Sequence, residues 1–251
     1  MLKRTEGIVL KSAVFGEADL IVTYLSRDYG LLKVFAKSPR KTKSRFGSSL
    51  EPLTYSKLSF FGKDNANLPR LTQSDIIRPF HSLRDNFKCL INISEMLELA
   101  LLFLPEREPN PEVLKLLLNT LLKLESDSSN RLYYLYYKIR FLEITGYTPR
   151  LEACGRCGDP KTSPRHHNFY MAHGMIICDE CIESQDGAIR LSDGALKFYK
   201  SFSKWGLSNI NRLKAPENLL SEIANIIDSH IKYIHGHQKP SFKKAFIKAY
   251  D

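Results

Sequence analysis

The chain has 251 residues, of which 43% are hydrophobic and 25% are charged, a balance that is ordinary for a folded globular protein. Its longest apolar run, from Leu97 to Leu104, is interrupted by Glu98 and is much shorter than the roughly 18 residues that a membrane span requires. The charged start of the chain lacks the apolar core and the cleavage site of a secretion signal, so a cytoplasmic location is expected.

The net charge of +10 is concentrated at the two ends of the chain. Residues 1–80 contain 14 Lys and Arg against 7 Asp and Glu, and residues 191–251 contain 10 against 5, whereas residues 81–190 contain 13 against 15. A positive field that is localised in this way favours a polyanionic partner, although a basic surface that serves only solubility is the other interpretation.

The first 77 residues contain five short runs typical of β-strands, separated by turn signals. The runs are 7–10, 20–25, 31–36, 53–61 and 70–77. Five short strands in about 80 residues predict a small closed barrel, since closure removes exposed strand edges. We expect an OB-fold domain over residues 1–79, and an SH3-like barrel is the alternative that strand number alone leaves open.

After Pro79 the apolar spacing becomes helical. The predicted helices span 83–104, 110–124, 130–145, 192–204 and 216–235. These helices predict an all-α C-terminal domain over residues 80–251, with a cysteine-rich insertion at about 149–190, and an overall α+β fold class. In the third helix Tyr133, Tyr134, Tyr136 and Tyr137 are spread around the axis, so some of them are predicted to face outward.

Four of the five cysteines form two C-x2-C pairs with twenty residues between them. They are Cys154, Cys157, Cys178 and Cys181. Each pair can present two sulfur atoms to one ion, and two pairs complete the tetrahedron of thiolates that Zn²⁺ prefers. The spacing predicts one zinc ion, and a redox-active dithiol is the alternative. The spacer histidines His166, His167 and His173 are interpreted as solvated loop residues rather than as ligands.

The predicted zinc site is structural, because four cysteines leave no coordination position open for water or substrate. Zinc deaminases also use a C-x2-C pair, but they require an H-x-E motif, and none of the seven histidines begins one. The sequence also lacks a phosphate-binding P-loop, a G-x-G-x-x-G motif and a G-x-S-x-G motif. We therefore expect a protein that is not an enzyme.

The candidate nucleic-acid contacts are basic residues of the N-terminal region. Six of them lie within thirteen residues that contain no acidic side chain, one directly follows the first predicted strand, and one begins the fifth. The set is Lys11, Lys33, Lys37, Arg40, Lys41, Lys43, Arg45 and Arg70, with a possible secondary cluster of Lys239, Lys243, Lys244 and Lys248. The loop cations favour nucleic acid over plain solvation. The aromatic residues Phe35, Phe46, Tyr55, Phe60 and Phe61 are available for base stacking, although burial in the barrel core is the expected role for most of them.

Several short motifs occur in a fixed order along the chain. They are Gly7-Ile8-Val9-Leu10-Lys11, Phe15-Gly16-Glu17-Ala18-Asp19, Gly30-Leu31-Leu32, the loop from Ala36-Lys37 to Phe46-Gly47, Leu50-Glu51-Pro52, Gly146-Tyr147-Thr148-Pro149 before the first cysteine pair, and Ser241-Phe242 through Phe246. In combination these motifs resemble the RecO family of bacterial recombination mediators, and the resemblance covers essentially the full chain.

The resemblance implies an OB-fold N-terminal domain, a helical C-terminal domain and a zinc knuckle. It also implies binding of single- and double-stranded DNA and annealing of complementary strands in the bacterial nucleoid. The implied partners are RecR and the C-terminal tail of single-strand-binding protein, and the implied task is to displace that protein so that RecA can load.

Two other functions are consistent with parts of the sequence. A zinc-ribbon protein of transcription or translation could use an OB-fold barrel to bind RNA. A nuclease or another hydrolase would require clustered carboxylates, which the sequence does not indicate. Competition between DNA and RNA for the protein discriminates the first alternative from a recombination mediator.

Overall fold

A computed structural model describes residues 1–40, 44–63, 66–160, 166–182, 187–213 and 215–236. The chain forms two compact units, of which the first comprises Met1–Ser129 and the second comprises the described part of Asn130–Ser241. The first unit extends beyond residue 79. The predicted domain boundary at residue 79 stays a prediction. Among the described residues, no helix is both long and apolar enough to cross a membrane.

The first unit begins with the five predicted strands. They are β1 (Leu2–Phe15), β2 (Asp19–Ser26), β3 (Gly30–Ala36), β4 (Tyr55–Phe61) and β5 (Arg70–Arg78). Strand pairing runs β1-β2-β3-β5-β4 and returns from β4 to β1, so that the strands form a closed barrel. All pairs are antiparallel except β3 with β5, which meet in parallel at Phe35 and Arg70.

The barrel interior is filled by one side of each strand, as the period-two alternation of β-strands requires. In β4 the inward residues are Ser56, Leu58 and Phe60, while Lys57 and Phe61 are exposed. The interior cluster contains Val9, Val22, Tyr24, Leu32, Val34, Ala36, Phe46, Leu50, Leu58, Phe60 and Leu71. Burial of one Leu or Phe side chain stabilises a fold by about 1.5–3 kcal/mol, so this cluster accounts for the order of the barrel without any ligand.

Three helices complete the first unit. They are α1 (His81–Arg84), α2 (Phe87–Phe103) and α3 (Pro111–Ser126), in addition to a 3-10 turn at Gly47–Leu50. The single helix predicted over 83–104 is divided at Asp85 and Asn86, because the Asn86 side chain accepts a hydrogen bond from the Cys89 N–H and starts a new helix. The predicted start of α3 is confirmed, with Asn110 as the cap and Pro111 in the first turn.

The second unit contains helices and a small sheet. The helices are α4 (Arg131–Ile144), α5 (Asp193–Phe202), α6 (Glu217–Ile234) and a 3-10 helix at Leu207–Arg212; the strands are β6 (His166–Tyr170), β7 (Met175–Ile177) and β8 (Ala188–Ser192). The strands pair antiparallel in the order β7-β6-β8. The helices outside the insertion agree with the predicted helical C-terminal domain, but the sheet was not predicted: β6 and β7 lie within the insertion at about 149–190, and β8 ends just beyond it. Strands of three to five residues are too short to show a clear alternation in the sequence, and they form only because they pair.

Helix α4 is buried around most of its circumference. Tyr133 and Tyr137 are fully buried, and Tyr134 and Tyr136 each retain only 7% of their accessible surface. The expectation that some of these tyrosines face outward is therefore wrong. A helix that is apolar or aromatic on all sides is packed on all sides, and no groove for a partner is formed by these rings.

Candidate metal centre and nucleic-acid surface

The two cysteine pairs converge on one point of the second unit. Cys154 and Cys157 lie in the turn that precedes the β6–β8 sheet, and Cys178 and Cys181 lie in the turn that follows β7. The four Sγ atoms all lie within 4.8 Å of one another, and those of Cys157 and Cys178 are 3.8 Å apart. A tetrahedral Zn²⁺ with bonds of about 2.3 Å places its sulfur ligands about 3.8 Å apart, so the cluster fits this ion.

The local backbone explains why the first pair reads Cys-Gly-Arg-Cys-Gly. A Cβ atom on Gly155 would lie 1.8 Å from Sδ of Met175, so a larger residue would require the Met175 side chain to move away from this turn. Gly158 has a φ of +74°, which other residues rarely adopt, and its N–H donates to the Cys154 carbonyl at 2.9 Å. The Gly155 N–H also donates to the carbonyl of Ile176 at 2.8 Å, which fixes the first pair beside the strand that leads to the second.

Backbone donors surround the most buried of the four thiols. Burial of Cys154 opposes ionisation, but hydrogen bonds from the backbone N–H groups of Cys157, Cys178 and Arg156 outweigh it and lower the pKa of Cys154 to about 6. Hydrogen bonds with Cys178 and Cys157 hold the Cys181 thiol in its protonated form and raise its pKa to about 12. A bound metal ion would supply the positive charge that lets all four sulfurs ionise together. With four sulfur ligands, the ion would stabilise the fold and would have no open coordination position for catalysis.

The spacer histidines differ from one another in the structure. His167 is only 3% exposed, on β6, with its Nε2 atom 3.6 Å from Oδ1 of Asp193, so its interpretation as a solvated loop residue is wrong. Burial lowers its pKa, against the opposing effect of Asp193. His173 lies in the turn between β6 and β7 and is exposed, as expected. Among the described residues, the metal-ligating cluster consists of the four cysteines alone.

Two of the predicted DNA-binding cations lie in one row across the barrel exterior. Lys11 of β1 pairs with Thr23 of β2, which pairs with Lys33 of β3. Leu32 and Val34 on either side of Lys33 point into the barrel, so Lys33 points outward, where its Nζ atom forms an ion pair with Glu106. Exposed pairs of this kind contribute little to stability, so a phosphate could replace the carboxylate.

The segment from Ala36 to Gly47, which carries most of the candidate cations, is called the basic loop. Its beginning is held in place by the turn between β1 and β2. The Ser38 N–H donates to Oδ1 of Asp19 at 2.6 Å. The Arg40 backbone N–H donates to the Ala18 carbonyl at 3.3 Å, and its guanidinium Nη1 donates to the Glu17 carbonyl at 3.1 Å. The Phe-Gly-Glu-Ala-Asp motif therefore positions the loop, a role that spacing in the sequence did not indicate.

The remaining predicted cations fall into two groups. Lys37, Arg40, Arg45 and Arg70 are exposed. The guanidinium of Arg45 lies 4.9 Å from the centroid of the Phe46 ring. The others lie outside the described residues: Lys41, Lys43, Lys239, Lys243, Lys244 and Lys248. Their contribution to a DNA surface stays a prediction.

The structure separates the aromatic residues that were candidates for base stacking. Phe46 and Phe60 belong to the barrel core, with 3% and 2% of their surface accessible. Tyr55 is half-buried, and its hydroxyl donates to Oε2 of Glu6 at 2.8 Å; burial and this carboxylate raise its pKa to about 12. Phe35 is half-buried and Phe61 is 58% exposed, both on the outside of the barrel.

The sequence analysis missed Phe15 as an exposed ring on the barrel exterior. Phe15 is 52% exposed, and its ring meets that of Phe35 edge to face with centroids 5.9 Å apart. The first predicted strand run ended at residue 10 and so left Phe15 out, whereas β1 continues to Phe15. The alternation of Lys11, Ala13 and Phe15 along one side of β1 is the signal that could have identified it.

Comparisons with known proteins identify the family to which the chain belongs. The chain matches the family described as "Recombination protein O N terminal" over residues 1–80 and the family described as "Recombination protein O C terminal" over residues 85–242. The two matches together cover most of the chain.

Curated relatives resemble the chain over nearly its whole length. A protein of Thermodesulfovibrio yellowstonii named "DNA repair protein RecO" is 45% identical over 240 residues, which is 94% of each chain. A protein of the same name from Dehalococcoides mccartyi is 34% identical over 92% of this chain and 90% of its own. Another from Acetivibrio thermocellus is 29% identical over 99% of this chain and 97% of its own. The chain therefore belongs to the recombination protein O family of DNA repair proteins.

Proposed function

We propose that this DNA repair protein is a recombination mediator that binds single- and double-stranded DNA and anneals complementary strands. The observation that carries the proposal is the outward placement of Lys11, Lys33 and Arg70 on a closed barrel whose basic loop begins beside them. Cations on a surface bind polyphosphate and release its counterions, which is the main source of affinity for DNA.

We propose that the barrel is an OB-fold and that residues 1–79 are the DNA-binding domain. The strand order β1-β2-β3-β5-β4 with closure back to β1 supports this assignment. The short parallel contact between β3 and β5 supports it as well, since OB-folds are partly open barrels. Residues 80–251 would then form a second domain that includes the cysteine insertion at about 149–190.

The proposed annealing activity needs no covalent step. Cations that neutralise phosphates on two strands reduce the repulsion between those strands, so that complementary bases can approach and pair. The protein would hold strands and release them after pairing, and we propose that it does so without being an enzyme.

We propose that one structural Zn²⁺ is held by Cys154, Cys157, Cys178 and Cys181. The convergence of their Sγ atoms within 4.8 Å supports this assignment. We further propose that the protein acts with RecR, contacts the C-terminal tail of single-strand-binding protein, and thereby helps RecA to load. These partners would place it in the cytoplasm, at the nucleoid.

The annealing of two complementary fluorescent oligonucleotides at low salt, without a nucleotide cofactor, tests the proposed function. The protein is expected to accelerate annealing strongly, and an unchanged rate contradicts a mediator role. Competition with RNA of the same sequence tests the alternative of an RNA-binding zinc-ribbon protein, which the relatives named for DNA repair disfavour.

Replacement of Arg40, Lys41 and Lys43 by alanine tests the basic loop. Each lost phosphate contact should reduce the salt dependence of single-strand binding by about 0.7 in the slope of log K against log salt. Three lost contacts should therefore flatten the slope by about 2. Replacement of Lys115, Lys123 and Lys88 on α2 and α3 is the matched control, since it removes the same charge from helices of the same unit.

A further inference from the structure

Strand pairing places three residues in one outward row across three strands of the barrel. Phe61 of β4 is the pairing partner of Arg70 of β5, and Arg70 is the parallel partner of Phe35 of β3. Directly opposed residues point to the same side of a sheet. The adjacent residues Phe60 and Leu71 are buried in the core, so the row Phe61–Arg70–Phe35 points outward. We call the four residues Phe61, Arg70, Phe35 and Phe15 the aromatic row, in which the Phe15 ring contacts that of Phe35.

The aromatic row exposes apolar surface on the outside of the barrel. Phe61 and Phe15 are 58% and 52% exposed, and Leu2, the pairing partner of Phe61 on β1, is 52% exposed. The ring of Phe15 contacts that of Phe35 edge to face, which fixes the orientation of both. A contiguous group of exposed apolar side chains on a folded protein marks a binding surface.

The charge around the aromatic row identifies the class of ligand. Arg70 lies between Phe35 and Phe61, and Lys33 is two residues before Phe35 on the same side of β3. Two residues along a strand correspond to about 7 Å, so the row that contains Lys11 and Lys33 runs beside the aromatic row. Rings that alternate with cations match a ligand with flat apolar faces and negative charges, which is a nucleic acid strand rather than an apolar peptide.

We propose that the aromatic row stacks on unpaired bases while the adjacent cations hold the backbone of the same strand. The proposal rests on the proposed function and makes it specific, since it assigns single-strand recognition to named rings. Bases in a duplex are covered on both faces by their neighbours, so a duplex can use the cations but not the rings. The aromatic row therefore distinguishes single strands from duplexes, and the basic loop does not.

The double variant Phe35→Leu/Phe61→Leu tests the proposal in the full-length protein. Binding is measured by fluorescence anisotropy with an oligo-dT strand, a strand of equal length that carries abasic sites, and a duplex. The Kd for oligo-dT should rise at least about fivefold, because stacking on one ring contributes at least about 1 kcal/mol. The Kd values for the abasic strand and the duplex should change less than twofold. Phe87→Leu, which replaces a ring that is 62% exposed on α2, is the matched control and should bind all three as the unchanged protein does.

The outcomes separate this inference from the proposed function. If the unchanged protein binds neither strands nor duplexes, the proposed function fails. If it binds both and the double variant binds oligo-dT equally well, only the aromatic row is refuted. An equal loss of affinity for oligo-dT and for the duplex also refutes the inference, because it would show that the rings support the fold or the cations rather than the bases.

A fluorescence measurement gives a second test that does not depend on loss of binding. Trp205 is the one tryptophan in the chain, so a Trp205→Phe background makes a tryptophan at position 61 the only reporter. In a Phe61→Trp variant of this background, oligo-dT should quench the emission, whereas the abasic strand should not. Emission that is unchanged by oligo-dT at saturating concentration would overturn the assignment of Phe61 to the bases.

Discussion

The barrel and the cysteine module, which is the insertion at residues 149–190, obtain their order in different ways. Eleven buried residues form the barrel interior, whereas the cluster beside the cysteine pairs has three buried members, namely Cys154, Met175 and Ile177. The barrel therefore folds on apolar burial, and its outer face can carry cations and exposed rings. The cluster beside the cysteine pairs is small, so the bonds of the proposed Zn²⁺ should add to the stability of this region.

The largest expected effect is the loss of the proposed zinc ion from the cysteine module. Cys154→Ser should prevent zinc binding and loosen residues 150–182, because a structural zinc site contributes on the order of 10 kcal/mol to the folding of an isolated module. Limited proteolysis and zinc analysis should show cleavage within these residues and an intact barrel. Cys89→Ala is the control, since Cys89 lies on α2 and outside the cluster. A zinc-free Cys154→Ser protein that resists cleavage as well as the unchanged one would refute the difference between the two regions.

A truncation in the barrel core should have the next largest effect. Leu58→Ala removes a side chain that is 1% exposed, so it should lower the free energy of unfolding of the barrel by about 2–5 kcal/mol. Zinc content should not change. Hydrogen exchange of the amides of β1 and β4 measures the loss, and Leu2→Ala, at a residue that is 52% exposed, should have almost no effect. A loss of zinc from Leu58→Ala would show that the two regions are not independent.

A helix cap next to the cysteine module should have a smaller effect. Ser192 is the last residue of β8 and the N-cap of α5. Its hydroxyl accepts a hydrogen bond from the Ala195 N–H at 3.2 Å. Ser192→Ala should lower the free energy of unfolding of the second unit by about 1 kcal/mol. Urea unfolding followed by the fluorescence of Trp205 measures this change. Ser201→Ala, at an exposed position of the same helix, should leave the transition within error of the unchanged protein.

The smallest effect at neutral pH concerns a buried histidine of α6. The Nε2 atom of His230 lies 2.9 Å from the Tyr147 carbonyl, to which it donates, and its ring meets Phe169 of β6 edge to face. Burial lowers the pKa of His230, against the opposing effect of the Tyr147 carbonyl. Below about pH 6.5, the ordinary pKa of histidine, the unfolded chain therefore binds more protons than the folded chain. The contribution of His230 to the free energy of unfolding of the second unit should be fully present above this pH. It should decrease as the pH drops from there towards the lowered pKa.

His230→Gln tests this pH dependence, because glutamine can donate to the same carbonyl and does not titrate. Urea unfolding between pH 5 and about pH 8 should show a weaker loss of stability in acid than the unchanged protein has. His173→Gln replaces an exposed histidine and should keep the original pH profile. An identical acid response in the His230 variant would assign the effect to other groups, such as His167.

Features that depend on local spacing could be predicted from the sequence. The helix starts at Asn110 and Ser192 are set by caps within three residues of the bonded N–H, and both are confirmed. Each C-x2-C pair brings its own two sulfurs together by a local turn, whereas the meeting of the two pairs depends on β7 and on the hydrogen bond from the Gly155 N–H to the Ile176 carbonyl. The long β1 and the three strands β6 to β8 were not predicted, because their bounds depend on partners that are distant in the sequence. The division between α1 and α2 depends on a local cap at Asn86, which the helical spacing of the apolar residues concealed.

The sequence by itself determined the barrel strands, the likeness to DNA repair proteins, the basic N-terminal region and the four-cysteine cluster. Only the tertiary structure decided which rings face solvent. Phe60 and Phe61 are neighbours with identical side chains, yet one fills the core and the other is exposed, because successive residues of a strand point to opposite sides and closure of the barrel decides which side is inside. The pairing register of β5 with β3 and β4 places Arg70 between two rings, and no pattern within one strand contains that information.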